Sequence, residues 1–273
     1  MNADCAFFIG KTHSVCEDYA RAQDDCVVLG DGCSSSVDSD IGARLLCSAV
    51  CSLIDDFPQQ NNGFYGYTLF RADTVRKIME LKKGCLDATL LVANYDSLRR
   101  GVFVSTIGDG IRIARLRENG RFLVWARIYP DEYPYYLNYS SDEDRLDDYI
   151  KQGHGKCNVL HLVIDLADGV IDSSVEENVS DWETHKAFFD QHLYDLVLIA
   201  SDGLSHFYKS VETSTSRYGE NIGLSDVLVR LLAFKNFTKK FVYRRLFRFL
   251  SDCEKDGWYG SDDISLGAIY LGD

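Results

Sequence analysis

Four runs of apolar, strand-forming residues in this chain each stop abruptly at an aspartate. They are Val27-Val28-Leu29-Gly30-Asp31-Gly32, Ser105-Thr106-Ile107-Gly108-Asp109-Gly110, Leu198-Ile199-Ala200-Ser201-Asp202-Gly203, and Gly260-Ser261-Asp262-Asp263 just ahead of the last apolar run. Aspartate is a poor strand residue and a good turn residue, so any single Asp-Gly reads as a tight turn. Asp168-Gly169 and Asp256-Gly257 carry nothing beyond that. Four in one context, with Glu17-Asp18 as well, constrain the fold further. Strand ends that converge at one edge of a sandwich bring their carboxylates together, where they repel strongly unless cations intervene. Hard divalent cations with oxygen ligands, Mg²⁺ or Mn²⁺, suit such a pocket. A glycine after the aspartate lets its carbonyl approach as a further ligand. Two such ions can hold a bridging water, acidify it and brace a phosphoryl group during in-line attack.

Between these points the pattern alternates in blocks. Strand-like runs at Ala6–Ile9 and Cys26–Leu29 precede two helical stretches. Over Ile41–Phe57, Leu45, Leu46, Ala49, Val50, Leu53 and Ile54 recur at three- and four-residue spacing, and Thr68–Lys83 carries a second stripe. Strands are expected from Asp87 to Asn94, at Val102–Ile107, Ile111–Leu116, Phe122–Ile128, Val159–Ile164 and Leu196–Ala200. The two runs flanking Gly108-Asp109-Gly110 read as a hairpin. Residues 129–155 show no clean period and read as an irregular insertion or flap. Late helices at Leu224–Phe234 and Phe237–Lys255 precede a final strand, Ile264–Leu271. The second carries basic residues around a stripe of Val242, Leu246, Phe249, Leu250 and Cys253, which packs against the main sheet in preference to a membrane or partner. Consecutive strands and adjacent helix pairs indicate an α+β class with mainly antiparallel sheets, in one domain over 1–273.

Bulk properties exclude several alternatives. Lys and Arg total 29 against 42 Asp and Glu, a net charge of −13 that opposes nucleic acid and anionic membrane. No apolar run reaches the ~18 residues of a membrane span, and the first residues lack a signal-peptide pattern. Nine dispersed cysteines without a Cys-x-x-Cys pair read as reduced thiols, hence a cytoplasmic location.

The ordered set Glu17-Asp18, Asp31-Gly32, Asp87-Ala88-Thr89-Leu90, Gly108-Asp109-Gly110, Ser201-Asp202-Gly203-Leu204 and Asp262-Asp263-Ile264-Ser265 resembles the type 2C family of metal-dependent serine/threonine protein phosphatases, closest to its bacterial branch. The resemblance implies a four-layer α-β-β-α sandwich with two mainly antiparallel sheets. It implies hydrolysis of phosphoserine and phosphothreonine esters by a water bridging two Mn²⁺ or Mg²⁺ ions, with a phosphorylated protein as substrate and a cognate serine/threonine kinase. Asp31 would bridge the metals, the Gly32 carbonyl would bind one, and Asp202 and Asp262 would complete the other shell. Asp109 matches the aspartate of a third, weaker site, and Glu17 and Asp18 would act through waters.

Two positions depart from the pattern. Where the family commonly has a phosphate-gripping arginine, this chain has His13, which can donate a hydrogen bond but lacks the guanidinium fork; it reads equally as a catalytic phosphate contact or a surface residue. Where many relatives have a histidine after Asp-Gly, this chain has Cys33, leaving a water or His13 as general acid. These changes motivate an alternative: an inactive regulatory or binding module of the same fold. The remaining histidines, His206 among them, read as solvated or packed. The tyrosines between 129 and 139 read as a satellite core under the flap or as a substrate platform.

Overall fold

The computed structural model describes the chain except residues 57, 58, 60–62, 181–184, 211–218 and 273. In chain order come strands β1 (Asn2–Phe8), β2 (Asp18–Gln23) and β3 (Cys26–Gly32), helices α1 (Ser39–Cys51) and α2 (Phe64–Ile78), then β4 (Ala88–Asp96) and β5 (Gly101–Ile107). Strands β6 (Gly110–Leu116) and β7 (Phe122–Ile128) lead to helix α3 (Glu143–Lys151). Next are β8 (Lys156–Asp165), β9 (Gly169–Ser180), β10 (His185–Asp190), β11 (Tyr194–Ala200), β12 (Phe207–Lys209) and β13 (Glu220–Ile222). Helices α4 (Leu224–Leu231) and α5 (Phe241–Lys255), then β14 (Trp258–Gly260) and β15 (Ile264–Tyr270), complete the order.

A seven-stranded sheet runs β1-β15-β11-β6-β7-β8-β9 and a five-stranded sheet runs β10-β5-β4-β3-β2, with a small β13-β12-β14 sheet beside them. The period-2 alternation of side chains distributes each central strand between two cores. Val27 and Leu29 of β3 face the inter-sheet core, together with Leu91 and Ala93 of β4 and Val197 and Ile199 of β11. Cys26 and Val28 of β3 turn the other way, onto Ala43, Leu46, Cys47 and Val50 of α1. Leu196 and Leu198 of β11 turn toward Leu228 of α4 and Leu246 and Phe249 of α5. Strands buried on both faces read as continuous apolar runs, and the layers are helix, sheet, sheet, helix. The expected sandwich is present, and α5 packs its apolar stripe on the larger sheet. Among the described residues no helix is long and apolar enough to cross a membrane.

The hairpin expected around Gly108-Asp109-Gly110 does not form. β5 pairs with β4 and β10 in the smaller sheet, while β6 pairs with β7 and β11 in the larger. Gly108 and Gly110 have φ of +87° and +122°, and this backbone freedom carries the chain from one sheet to the other. Helix ends also differ: the stretch expected to run to Phe57 stops at Cys51, and residue 57 lies outside the described residues. The second helix covers Phe64–Ile78 instead of Thr68–Lys83.

The segment 129–155 is not wholly irregular. It contains a 3₁₀ turn, Leu137–Ser141, and α3. Asp142 caps α3 by accepting from the Arg145 N–H at 3.3 Å. Glu143 and Asp144 in the first turn and Lys151 in the last suit its dipole. Tyr149 is its one buried residue, so no apolar stripe announces it.

Candidate active site

The strand ends do converge. Asp31 closes β3, directly opposite Asp18 at the start of β2. Asp109 occupies the crossing between β5 and β6, Asp202 opens a 3₁₀ turn after β11, and Asp262 and Asp263 lie between β14 and β15. Asp31, Asp109, Asp202, Asp262, Glu17 and His13 all line one cavity of about 650 Å³, as does Gly32. Asp18 lies behind them, 1% exposed.

Buried hydrogen bonds hold this edge in register. Ser201 Oγ donates to Asp18 Oδ2 at 2.7 Å and accepts from the Ser265 N–H at 2.9 Å. Asp263 accepts from the backbone N–H of Gly10 at 2.7 Å and of Glu17 at 2.6 Å, fastening the loop between β1 and β2 beneath β15. Ser39 Oγ at the start of α1 donates to Glu17 Oε1 at 2.9 Å. These contacts make Asp263 a brace.

The electrostatics are those of carboxylates forced together. Burial raises Asp31 well above the usual carboxylate range, and the charges of Asp18, Asp202, Asp109 and Asp262 raise it further. Burial pushes Asp18 up to about 7, with Asp202 and Asp263 adding to the effect against the Ser201 hydrogen bond. Burial and the Asp202 charge likewise raise Asp109. Asp202 is raised by burial and by the Asp262 charge, against the opposing charge of His206.

Two histidines answer this field. His13 has Nδ1 at 3.2 Å from Asp263 and Nε2 at 3.5 Å from Asp262. Burial works against its charge, but the surrounding carboxylates of Asp263, Asp262 and Glu17 prevail and raise its pKa. The ring is thus engaged by carboxylates and is 22% exposed. His206, expected to be merely solvated or packed, also lines the cavity. Its Nδ1 lies 3.1 Å from Asp262 and 4.0 Å from Asp202. The hydrogen bond to Asp262 raises its pKa to about 9, and Asp262 is lowered because His206 outweighs the cost of burial. Asp202, His206 and Asp262 offer ligand atoms within 4.8 Å of one another, as do His13, Glu17 and Asp263. The spacing of His206, four residues past Asp202, is the sequence signal for its place.

Arg127 of β7 also reaches the cavity and was not foreseen; burial leaves it 2% exposed. Tyr129, Pro130, Pro134 and Tyr136 line the same cavity. Tyr135 and Tyr149 instead join the core under α1 and α2, with Tyr139 packed against it. The satellite-core expectation therefore holds for Tyr135 and Tyr139, while Tyr129 and Tyr136 line the cavity.

Against solved structures, the chain is similar to a bacterial serine phosphatase carrying an arginine-to-lysine mutation, at 12% identity and TM-score 0.57, with 100% of this chain and 98% of that one covered. It is similar to serine/threonine phosphatase Stp1 from Staphylococcus aureus at 11% identity, TM-score 0.54 and coverage of 100% and 96%. The catalytic domain of the serine/threonine protein phosphatase PstP, in complex with two manganese ions, aligns at 13% identity, TM-score 0.50 and coverage of 97% and 96%. At such identities these likenesses speak for the fold. No curated protein matches the chain. A family model described as protein phosphatase 2C matches residues 10–250. With most of its length under that model, the chain belongs to the protein phosphatase 2C family.

Proposed function

We propose that the protein is a Mn²⁺- or Mg²⁺-dependent phosphatase that hydrolyses phosphoserine and phosphothreonine esters of proteins. The observation that carries this reading is the meeting of Asp31, Asp109, Asp202 and Asp262, distant in sequence, around one cavity. Divalent cations fit the donors present. The set is rich in carboxylate oxygen, Asp31 is surrounded by like charges, and Asp18 Oδ1 is buried without a hydrogen-bond partner. Asp31, the Gly32 carbonyl, Asp202 and Asp262 would hold two ions, with Asp109 for a third and Glu17 and Asp18 acting at one remove. Bound there, the ions supply positive charge to the phosphoryl oxygens and an acidified water.

The chain's own side chains do the remaining tasks. Asp263 and Ser201 keep the strand ends in register, so the acidic groups need little rearrangement when charge develops. His206 can hold a proton at Nδ1 against Asp262 beside the phosphate end of the cavity. His13, its two ring nitrogens facing Asp262 and Asp263, orients those carboxylates and supplies positive charge where the family has a guanidinium fork. The aromatic wall from Tyr129 to Tyr136 receives the polypeptide around the phosphorylated residue. A serine/threonine kinase would supply such substrates, and nine free cysteines suit a reducing compartment such as the cytoplasm.

Turnover of a phosphothreonine peptide and an aryl phosphate, with Mn²⁺, with Mg²⁺ and with EDTA, tests the proposal. Turnover that needs the metal and disappears in Asp31→Asn and Asp202→Asn supports it. His13 and Cys33, at positions where relatives carry arginine and histidine, favour a second reading as a binding module. Calorimetric Mn²⁺ binding without hydrolysis of either substrate would select that reading instead.

A further inference from the structure

Asp87 stands in one of the family-like motifs, yet it is not among the described residues that line the cavity. It is 4% exposed and surrounded by donors. Oδ1 accepts from Asn138 Nδ2 at 2.8 Å and Arg145 Nη1 at 3.1 Å. Oδ2 accepts from Arg145 Nη2 at 2.8 Å and Ser36 Oγ at 3.0 Å. Four donors saturate a carboxylate, and the Arg145 pair is bidentate, the strongest and most directional form of such a contact.

These four donors come from two places. Ser36 belongs to the loop leaving Asp31-Gly32, and the Asp87 carbonyl also accepts from the Cys33 N–H in that loop at 2.9 Å. Asn138 and Arg145 belong to the segment that carries the aromatic wall. Around them, Lys83 Nζ donates to the Ser141 carbonyl at 2.9 Å and to Asp142 at 3.1 Å. The Lys83 carbonyl accepts from Asn138 Nδ2 at 3.0 Å. The Arg145 guanidinium lies 4.7 Å from the Tyr139 ring centre, and the Tyr149 hydroxyl donates to the Tyr133 carbonyl at 2.8 Å, closing the segment on itself. One buried carboxylate thus joins the loop of Cys33, Ser34 and Ser35, which lines the cavity, to the segment that lines it with Tyr129, Pro130, Pro134 and Tyr136.

We infer that the Asp87–Arg145 pair is a tether that fixes the wall of residues 129–136 relative to the Asp31–Ser36 loop, making both positioning residues for the polypeptide that flanks the phosphorylated side chain. The inference rests on the phosphatase reading for its substrate and on the hydrogen bonds alone for the tether. An aryl phosphate is short and occupies the acidic end of the cavity. A phosphopeptide extends along the wall, so the tether bears on peptide binding and little on the chemical step.

The test compares wild type, Arg145→Ala and Arg145→Lys with Mn²⁺, using a phosphothreonine peptide and an aryl phosphate, alongside backbone hydrogen exchange. In Arg145→Ala the peptide KM rises about tenfold, the scale of one lost charge-assisted contact, with kcat and the aryl phosphate kcat/KM within about twofold. Arg145→Lys, which keeps one charged contact but not the fork, falls between. Exchange accelerates over residues 133–150 in Arg145→Ala and stays unchanged in α5. A parallel fall for both substrates, or an unchanged peptide KM, overturns the positioning role. If wild type turns over neither substrate the phosphatase reading fails, and the exchange experiment still decides the tether: unchanged protection over 133–150 refutes it.

Discussion

Substituting Gly203 by alanine perturbs the site through packing alone, without touching a charged group. A Cβ on Gly203 would lie 1.8 Å from the Asp263 carbonyl oxygen and 2.9 Å from its carbonyl carbon. Both are backbone atoms, so no side chain can rotate away. The contact must open to at least 3.0 Å, separating the turn that carries Asp202 from the loop that carries Asp262 and Asp263 by roughly 1.2 Å. Metal–ligand distances tolerate only about ±0.2 Å, so on the proposed two-metal reading Asp202 and Asp262 would no longer serve one ion well. Overpacking of this kind costs about 1–3 kcal/mol, and a misplacement near 1 Å costs about 100-fold in rate. The assay is thermal unfolding with EDTA and with Mn²⁺ at about 100 times its Kd. At that excess the ion contributes about 2.7 kcal/mol, which raises the wild-type Tm by about 5–10 °C at ~2–4 °C per kcal/mol. Gly203→Ala should unfold several degrees lower in EDTA, lose the Mn²⁺ increment and lose about 100-fold in kcat/KM. Gly66→Ala in α2, where nothing lies within 4 Å of the added carbon, is the control and should be neutral or stabilising by up to ~1 kcal/mol. A Gly203→Ala protein with Mn²⁺ affinity within about threefold of wild type would refute the argument.

Other consequences are open to measurement. Asp31→Asn replaces a carboxyl whose ionisation is opposed by burial and by Asp18, Asp202, Asp109 and Asp262 with a neutral side chain of the same shape, so the variant should be more stable than wild type to urea in EDTA and less stable in Mn²⁺; a loss of stability in both conditions contradicts the repulsion. The metal-free protein should become more stable as pH falls from 8 to about 5.5. Asp18, raised to about 7, destabilises the fold above the unfolded carboxylate value of ~3.9, and His206, raised to about 9, gives stability present below ~6.5 and lost as pH rises through its folded value. Saturating Mn²⁺ should flatten that slope; a metal-free Tm that rises with pH across this window would show the shifts to have the wrong sign. Phe249→Ala, at a residue 1% exposed between α5 and the larger sheet, should cost about 3–5 kcal/mol while leaving kcat per folded molecule unchanged, as read from activity normalised to near-UV circular dichroism.

Much of this architecture is legible in local pattern because the central strands are buried on both faces. Val27–Leu29, Leu90–Ala93 and Leu196–Ala200 stand out as continuous apolar runs for that reason. β9 and β10 do not. β9 is a largely exposed edge strand, and β10 lies at the edge of its sheet with solvent on one side, so neither carries a strong apolar signal. α3 escapes notice for the same reason, having a cap and charged ends but one buried side chain.

The amino-acid sequence by itself determined where strands end in aspartate, which faces of the helices are apolar, and the order of motifs that matches the family. It could not assign strands to sheets. β5 and β6 read as partners across Gly108-Asp109-Gly110, and only long-range pairing sends them to different sheets. Tertiary structure alone brought His206 onto Asp262, turned Asp263 into a brace for Gly10 and Glu17, and gave Asp87 its donors from Ser36, Asn138 and Arg145. The physical reason is range. Burial periodicity is written within a few residues, whereas the meeting of strand ends depends on the register of pairs up to 268 residues apart, as Asn2 and Tyr270 are.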